Sequence, residues 1–461
     1  MAGLMGSMSI ALSSLKNNQE ALDVTSNNIA NQNTPGYSRQ RVNFSESSSL
    51  DYGTLQFGTG SQIDNIQSIR DQVLEFRINS ESQQEAALDA YLGPMQQVQA
   101  SFNEAAGTGL QTSISGFFNS LTQLSTDPNS VPLRQGVITA AQNMTAAFNS
   151  AANNLSQLQT STNAQIPTVA QQINTLASSI AQLNTRISQS QSSGNNSGTL
   201  EDERNQLISK ISQLVNISMV QGDHGVINIS TAMGAALVVG GQNFDLKIST
   251  SPSTGMNQIQ ASDGTDITSG IDGGQLGGLL RVRDQAIPGL SSKLDTLAAS
   301  IANSVNAVHT AGFDLNGNAG QKLFTVPATV AGSAQFIQLN ITDPTKIAAS
   351  QSGASGDNAN ALAIAQLQNQ NIASGQTPLD YYSSTVAQLG TDVQLATSQR
   401  DTQDVVVQQL QTQRNSISGV SLDEEAANLI QFQRAYQAAA RVVNVVDELT
   451  QTAINLGVGG T

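Results

Sequence analysis

The stretch SLDEEAANLIQFQRAYQAAARVVNVVDELTQTA, Ser421–Ala453, decides the architecture of this chain. Leu422, Leu429, Tyr436, Val443 and Thr450 stand seven apart, and Phe432, Ala439, Val446 and Ala453 form a second column with the same spacing. Alternating steps of four and three put both columns on one narrow stripe of a helix, a coiled-coil seam rather than a broad amphipathic face. Ser421 followed by Glu424 reads as a capping box that opens this helix. A seam needs a partner, and none lies nearby in the sequence.

The partner stands at the opposite end. Met8, Leu15, Leu22 and Ile29 are seven apart, with Leu4, Ala11, Asn18 and Thr25 as the companion column. Ile29 is the last apolar knob. The Asn-rich run that follows and Pro35 disfavour helix, and Gly36 permits a turn. The two terminal helices are predicted to bury each other, with everything between them projecting from that pair.

The intervening chain changes texture several times. Residues 37–65 read as extended, with Gly at 53, 58 and 60. A helical pattern runs from Ile66 to about Glu104 and is predicted to break at Gly93-Pro94, and another covers about 109–124 before the turn STDPNS. Residues 132–190 are mostly helical, with Val169, Ile173, Leu176, Ile180, Leu183 and Ile187 in four-three steps. After the linker QSSGNNSG, Thr199 with Asp202 is a weak cap for a helix to about Val215. The β-branched, Gly-punctuated residues from Ile217 read as strands, with Asp-Gly turns at 263–264 and 272–273. Helix resumes over about 276–308, a second strand-like stretch spans Lys322–Thr342, and helices return over about 358–416. The predicted fold class is mainly α with inserted β: paired N- and C-terminal coiled-coil helices, an elongated helical-bundle domain and a smaller all-β module. The expected division is 1–60 with 416–461 as the inner coiled coil and its connecting segment, 61–215 with 276–312 and 351–415 as the bundle, and 216–275 with 313–350 as the β module.

Composition narrows the function. Of 461 residues only 11% are charged and 4% aromatic, and the net charge is −15. Nucleic acid and an anionic membrane surface both demand a basic footprint, so neither is an expected partner. The absence of Cys excludes disulfides and thiolate metal sites. No apolar run approaches the roughly 18 residues of a spanning helix, so no membrane insertion is expected. The first residues lack the basic region and solid apolar block of a cleavable secretory signal.

No catalytic constellation emerges, and no metal or cofactor is expected. His224 and His309 are the two histidines, and both read as ordinary surface positions. Asp314–Gly320, DLNGNAG, begins like an EF-hand loop, but Ala319 replaces the required Gly and Thr325 the bidentate Glu, leaving a surface turn. Asp423, Glu424 and Glu425 read as acidic residues suited to a helix start.

The two ends together carry a family resemblance. ALDVTSNNIANQNTPGYSRQRVNF at 21–44, with Asn28, Ala30, Asn31, Asn33, Thr34, Pro35, Gly36 and Tyr37 as the motif, resembles the N-terminal signature of the bacterial flagellar rod, hook and hook-associated axial proteins. With the C-terminal stretch and GGLLRVRDQAIPGLSSKLDTLAASIANSVNAVHTAGFDLNG at 277–317, the chain is similar to the hook-associated protein 1 family of hook–filament junction proteins. The chain is short for that family, so an outer domain is expected to be reduced or absent. The resemblance implies a non-enzymatic structural subunit whose paired terminal helices line an inner tube, while the segment after the Asn-Pro-Gly stop leads outward. It implies assembly with copies of itself as a ring or tube, and contacts with the hook protein and hook-associated protein 3. It also implies a dedicated cytosolic export chaperone, held on the C-terminal helix. The implied location is the extracellular flagellum, reached through the flagellar type III channel without a cleavable signal. The alternatives are a second junction protein like hook-associated protein 3, another flagellar axial protein, or a non-flagellar type III secreted helical protein. A membrane translocator of that last kind would need an apolar block that this chain does not show.

Overall fold

A computed structural model describes residues 2–52, 55–102, 109–193 and 196–458. Glu104, Gly53, and Gly194 and Asn195 of the linker lie outside the described residues.

Helix α1 spans Ala2–Ala30 and leads through the motif turn into strands β1 (Gln40–Glu46), β2 (Leu50–Tyr52), β3 (Leu55–Phe57) and β4 (Ser61–Ser68). The segment expected to be merely extended is therefore a pair of nested antiparallel ladders, β1 with β4 and β2 with β3. Ile66 lies in β4, opposite Val42, and not in a helix. Helix α2 (Gln72–Ser101) starts instead after Asp71, whose carboxylate accepts the Leu74 N–H at 3.1 Å. Pro94 does not end it. Leu92, Met95 and Val98 are all buried around the proline, and burying side chains of this size is worth about 1.5–3 kcal/mol each, enough to offset the roughly 3 kcal/mol that an interior proline costs.

Helix α3 (Leu110–Thr126) buries Leu110, Ile114, Phe117, Phe118, Leu121 and Leu124 at three-four spacing against α4 (Val131–Ser192). With 62 residues, α4 is about 93 Å long and forms the spine of the body. Helix α5 (Gly198–Leu214) packs back along its end. Its start is not capped by Thr199 and Asp202: Ser197 precedes the helix and donates its hydroxyl to Glu201 at 2.6 Å, while Asp202 turns away to Arg70. Strands β5 (Ile217–Gln221), β6 (Ile227–Thr231), β7 (Ala236–Val239) and β8 (Gln242–Asn243) form an antiparallel meander, followed by the hairpin β9 (Lys247–Thr250) and β10 (Asn257–Gln260). Helix α6 (Gly274–Arg281) passes through a π-helical segment, Val282–Ala286, into α7 (Ile287–Ala311). Strands β11 (Phe324–Thr325) and β12 (Gln338–Leu339) flank the short α8 (Ser333–Phe336); α9 (Ala359–Gln366) and the long α10 (Pro378–Ser418) follow, and α11 (Leu422–Val458) closes the chain.

Two apolar cores are strung along α4. The first gathers α3, α7, α9 and part of α10 on Val137, Ile138, Ala141, Met144, Phe148 and Leu155. The second gathers α5, α6 and the strands from β5 to β10 on Ile166, Val169, Ile173, Ala177 and Ile180. This corrects the expected β module. Residues 313–350 do not join 216–275, because Leu323, Phe324, Ala334, Ile337, Ile341 and Ile347 are buried in the first core, whereas Ile229, Leu237, Val238 and Ile259 belong to the second. Each β segment supplies the apolar cover for a different stretch of the same helix. Neither stands off the rod.

Candidate assembly site: the terminal helix pair and its joint to the body

The terminal helices pack against each other as the two seams require. Asn28 near the end of α1 meets Glu425 at the start of α11, so the pair is antiparallel. The centre of the contact is made of small groups: Ala11, Ala21, Thr25, Ala439 and Val446 are buried. Leu4, Met8, Leu15, Leu22, Ile29, Leu429, Phe432, Tyr436, Val443 and Ala453 flank that centre and are half-buried. Leu422 is the exception. It is 47% exposed and takes no part in the buried seam; the column of Phe432, Ala439 and Val446 is continued one heptad upstream by Glu425, 2% exposed. The hairpin supplies a third layer on one side. Phe44 of β1 meets Phe432 with ring centroids 6.3 Å apart, and Asn17 donates to the Ser61 carbonyl at 2.6 Å. On their remaining surface α1 and α11 expose Met5, Leu12, Ile430, Val442, Val445, Leu449 and Ile454.

The motif residues build the joint. Asn31 donates its side-chain amide to the Asn27 carbonyl at 3.0 Å, and the Thr34 hydroxyl reaches Asn31 Oδ1 at 3.1 Å. These local side-chain bonds fix the turn at the helix end, where the Asn27 carbonyl also accepts the Asn31 N–H at 3.0 Å. Gly36 has φ +79°, and a Cβ there would collide with Gln206. Ala30, Asn33, Thr34 and Pro35 lie on the exposed side of the turn. The Pro35 carbonyl accepts from Gln206 of α5 at 2.7 Å and the Gly36 carbonyl from Arg414 of α10 at 2.9 Å, so the turn is tied to two body helices.

Asn28 is the hub. Its Nδ2 donates to the Gln40 carbonyl at 2.8 Å and to the Glu425 carboxylate at 3.2 Å; its Oδ1 accepts from the Tyr37 hydroxyl at 2.8 Å and the Gln40 N–H at 3.0 Å. A side-chain amide has two donors and two acceptor sites, so Asn28 uses its full capacity. Around it, Arg39 pairs with Glu424, and its N–H donates to the Ser418 carbonyl at 2.8 Å. Glu424 thus crosses to Arg39, whose charge attracts it more strongly than the neutral N–H of a capping box. Arg70 contacts Glu201 at 3.0 Å and Asp202, and Asp202 accepts the Ser38 N–H at 3.2 Å. Arg414 reaches Glu75 at 2.8 Å. Burial outweighs Arg70 at Asp202 and pushes its carboxyl above the usual range, and burial likewise raises Glu425 against the opposing pull of Asn28 and Arg39. Tyr37 is pushed up to about 12, by burial first and then by the carboxylates of Asp202 and Glu425. It stays a neutral donor.

The sequence pattern singled out Asn28 and Tyr37, gave Asp202 and Glu425 only helix-start roles, and missed Arg39, Arg70 and Arg414. One signal for Glu425 was present: a carboxylate occupies a seam column that is otherwise apolar. The other sites behave differently from one another. Asp314 spends its carboxylate on the N–H groups of Asn316 and Asn318 at 2.8 and 2.9 Å, as a self-capped turn should. His309, expected at the surface, is fully buried. Its Nδ1 donates to the Gln321 carbonyl and its Nε2 accepts the Ala348 N–H at 2.9 Å, which holds the 313–350 segment against α7. Among the described residues no group of three or more His, Cys, Asp or Glu could hold a metal ion, and no helix is long and apolar enough to cross a membrane.

Both halves of this joint match known families. Residues 8–37 match the flagella basal body rod protein family and residues 411–456 the C-terminal family of the flagellar basal body rod FlgEFG proteins. A helix pair assembled from these two ends defines the class: a flagellar axial protein. Residues 95–324 match the flagellar hook-associated protein FlgK helical domain. Flagellar hook-associated protein 1 of Bacillus subtilis is 30% identical over 96% of both chains, and that of Escherichia coli 26% identical over 97% of this chain and 98% of its own. The chain belongs to the flagellar hook-associated protein 1 family. The flagellar hook junction protein FlgK of Burkholderia pseudomallei shares the fold, with a TM-score of 0.68 at 19% identity over 74% of this chain and all of that one. The E. coli alignment runs over 540 positions, more than the 461 residues here, so that relative carries segments this chain lacks.

Proposed function

We propose that this protein is a structural subunit of the bacterial flagellum that joins hook to filament as a junction ring. One observation carries the reading. The terminal pair is only half-covered within one subunit, and its outer surface presents Met5, Leu12, Val442, Val445 and Leu449 to whatever lies beside it. Neighbouring copies packed side by side would cover these residues and leave the body outside. The Leu and Val among them keep about half of their surface exposed, so completing their burial gains about 1 kcal/mol each, and a handful per subunit can drive association. The hook protein and hook-associated protein 3 are the expected axial neighbours. A cytosolic chaperone on α11 would shield the same residues before export through the flagellar type III channel. The reading assigns the protein no catalysis, metal or cofactor. Electron microscopy of flagella from a deletion strain tests it: bare hooks without filaments are expected. Normal filaments on that strain would refute it.

A further inference from the structure

Five of the ten prolines lie in long helices: Pro132 and Pro378 sit at helix starts that follow loops, whereas Pro94, Pro167 and Pro288 have helical residues on both sides. In an α-helix a proline frees the carbonyl four residues before it, here those of Ala90 and Asn163; at Pro288 the preceding segment is π-helical, with bonds five residues apart, and the freed carbonyl is that of Arg283. Each freed carbonyl falls where its helix passes from one apolar core to the other. In α2, Ala90 packs on the second core and Tyr91 belongs to the first. In α4, Leu155 belongs to the first and Ile166 to the second. On the third helix, Leu280 belongs to the second and Val282 to the first, and Val282–Ala286 is π-helical.

A polar layer occupies the same level. Asn257 at the start of β10 donates its side-chain amide to the freed Asn163 carbonyl at 3.0 Å, and its N–H reaches Asn163 Oδ1 at 2.9 Å. Arg283, 2% exposed, donates to Asn163 Oδ1 at 2.8 Å and is held by Asp284. Gln159 donates to the Arg283 carbonyl at 2.8 Å, which satisfies a backbone group of the π segment. Arg281 lies 4.6 Å from the centre of the Tyr91 ring and ties the third helix to α2. Helix α10 passes alongside with Leu389, Val393 and Ala396 in the first core and Arg400 on Asp89 at 3.0 Å, and its one proline is its first residue.

We propose that this level is a bending plane built into the body, with α10 as the unbroken pivot. Kinks and hinges in helices arise at prolines and π segments, because both remove backbone bonds that resist bending. One such notch is a local accident that packing can hide. Three notches at one level, between two cores that share few apolar side chains across it, let one core tilt on the other without opening either. The hydrogen bonds from Asn257 and Gln159 set the stiffness, since they occupy the carbonyls that the notches expose. The inference concerns the body alone and does not depend on the junction assignment.

The chain has no Cys, so spin labels can be attached to Ser150→Cys and Gln182→Cys, exposed positions on α4 on either side of the level and about 48 Å apart along a straight helix. The expected result is a broad distance distribution in the otherwise native chain. It should narrow when Pro94→Ala, Pro167→Ala and Pro288→Ala are combined, and broaden further in Asn257→Ala. Hydrogen exchange on the native chain should show a dip in protection at this level in all three helices, flanked by slower amides on both sides. The bending plane is overturned if the distribution has the same width in the native chain, the triple proline variant and Asn257→Ala. It is equally overturned if protection runs evenly through the three segments.

Discussion

Asn28→Asp is the sharpest probe of the joint. The substitution changes one NH2 to an oxygen and leaves the shape of the side chain intact, but it turns the 3.2 Å contact with Glu425 from a hydrogen bond into two facing carboxylates. At that distance and an effective dielectric constant of about 20, repulsion is about 5 kcal/mol. The Gln40 carbonyl, bonded to the lost NH2 at 2.8 Å, adds about 1–3 kcal/mol as an unsatisfied buried acceptor. The buried pair escapes the full cost by taking up one proton, so the penalty depends on pH. Glu425 already has a raised pKa because burial disfavours its charge, and a second carboxylate raises the pair further. A folded-state pKa raised above the unfolded value means that the penalty is present at neutral pH and fades as pH falls toward the ordinary carboxylate range of about 4. The measurement is amide hydrogen exchange on α1, α11 and Arg39–Phe44, taken as the ratio of variant to native at each pH. At pH 7 the ratio should reach at least roughly a hundredfold, and it should shrink as pH approaches 4. Asn28→Ala, which adds no charge, should accelerate exchange with little pH dependence. A ratio near one at pH 7, or a ratio that ignores pH in Asn28→Asp, would show that the hub does not hold the pair to the body.

Three further outcomes follow from other parts of the molecule. His309 has its pKa lowered to about 4 by burial, against about 6.5 unfolded, so stability falls as pH drops from 6.5 to 4, by about 3 kcal/mol; thermal unfolding should show this slope, and His309→Gln should flatten it while lowering the melting temperature at neutral pH. Leu429→Asp places a charge in the half-buried seam and should cost about 2 kcal/mol in the pair, whereas Gln437→Asp lies on the exposed side and should be neutral; exported protein should appear in the medium instead of on hooks for the first variant and not the second. Deleting Gln221–Gln275 removes Ile229, Leu237, Val238, Ile259, Ile267 and Ile271 from the second core and should leave a chain that unfolds at lower temperature or aggregates, read by circular dichroism at 222 nm; a deletion variant as stable as the native chain would mean that these strands do not support α4.

The large outline was legible because it rests on periodicity. A pair of seven-residue columns at each chain end gave the terminal helix pair, though not its orientation, and the four-three steps from Val169 to Ile187 marked one face of α4 correctly. What periodicity could not say is which column lies deepest. Met8, Leu15, Leu22 and Ile29 are larger than Ala11, Ala21 and Thr25, yet the small residues occupy the centre because they let the helices approach closely. Pro94 was misread as a break, since local propensity carries no information about the buried Leu92 and Met95 that hold the helix through it. The β segments were joined on texture alone, although each answers to a different stretch of α4. The ionic partners of the joint were hidden for the plainest reason: Arg70 and Asp202, like Arg39 and Glu424, are far apart in sequence, and no local pattern connects them.

The bond between the Arg39 N–H and the Ser418 carbonyl, at 2.8 Å, has a consequence for how such chains vary. The body leaves the terminal helices at Arg39 and returns at Ser418, and these two points touch. Everything between them is, in topological terms, an insertion into a helical hairpin through a single doorway. Lengthening or shortening that insertion does not move the doorposts, so the inner helices can keep one geometry while the outer mass differs from species to species. Long segments present in the E. coli relative and missing here are the variation this arrangement permits, because a change of size in the body is not transmitted to the residues that must match a neighbour.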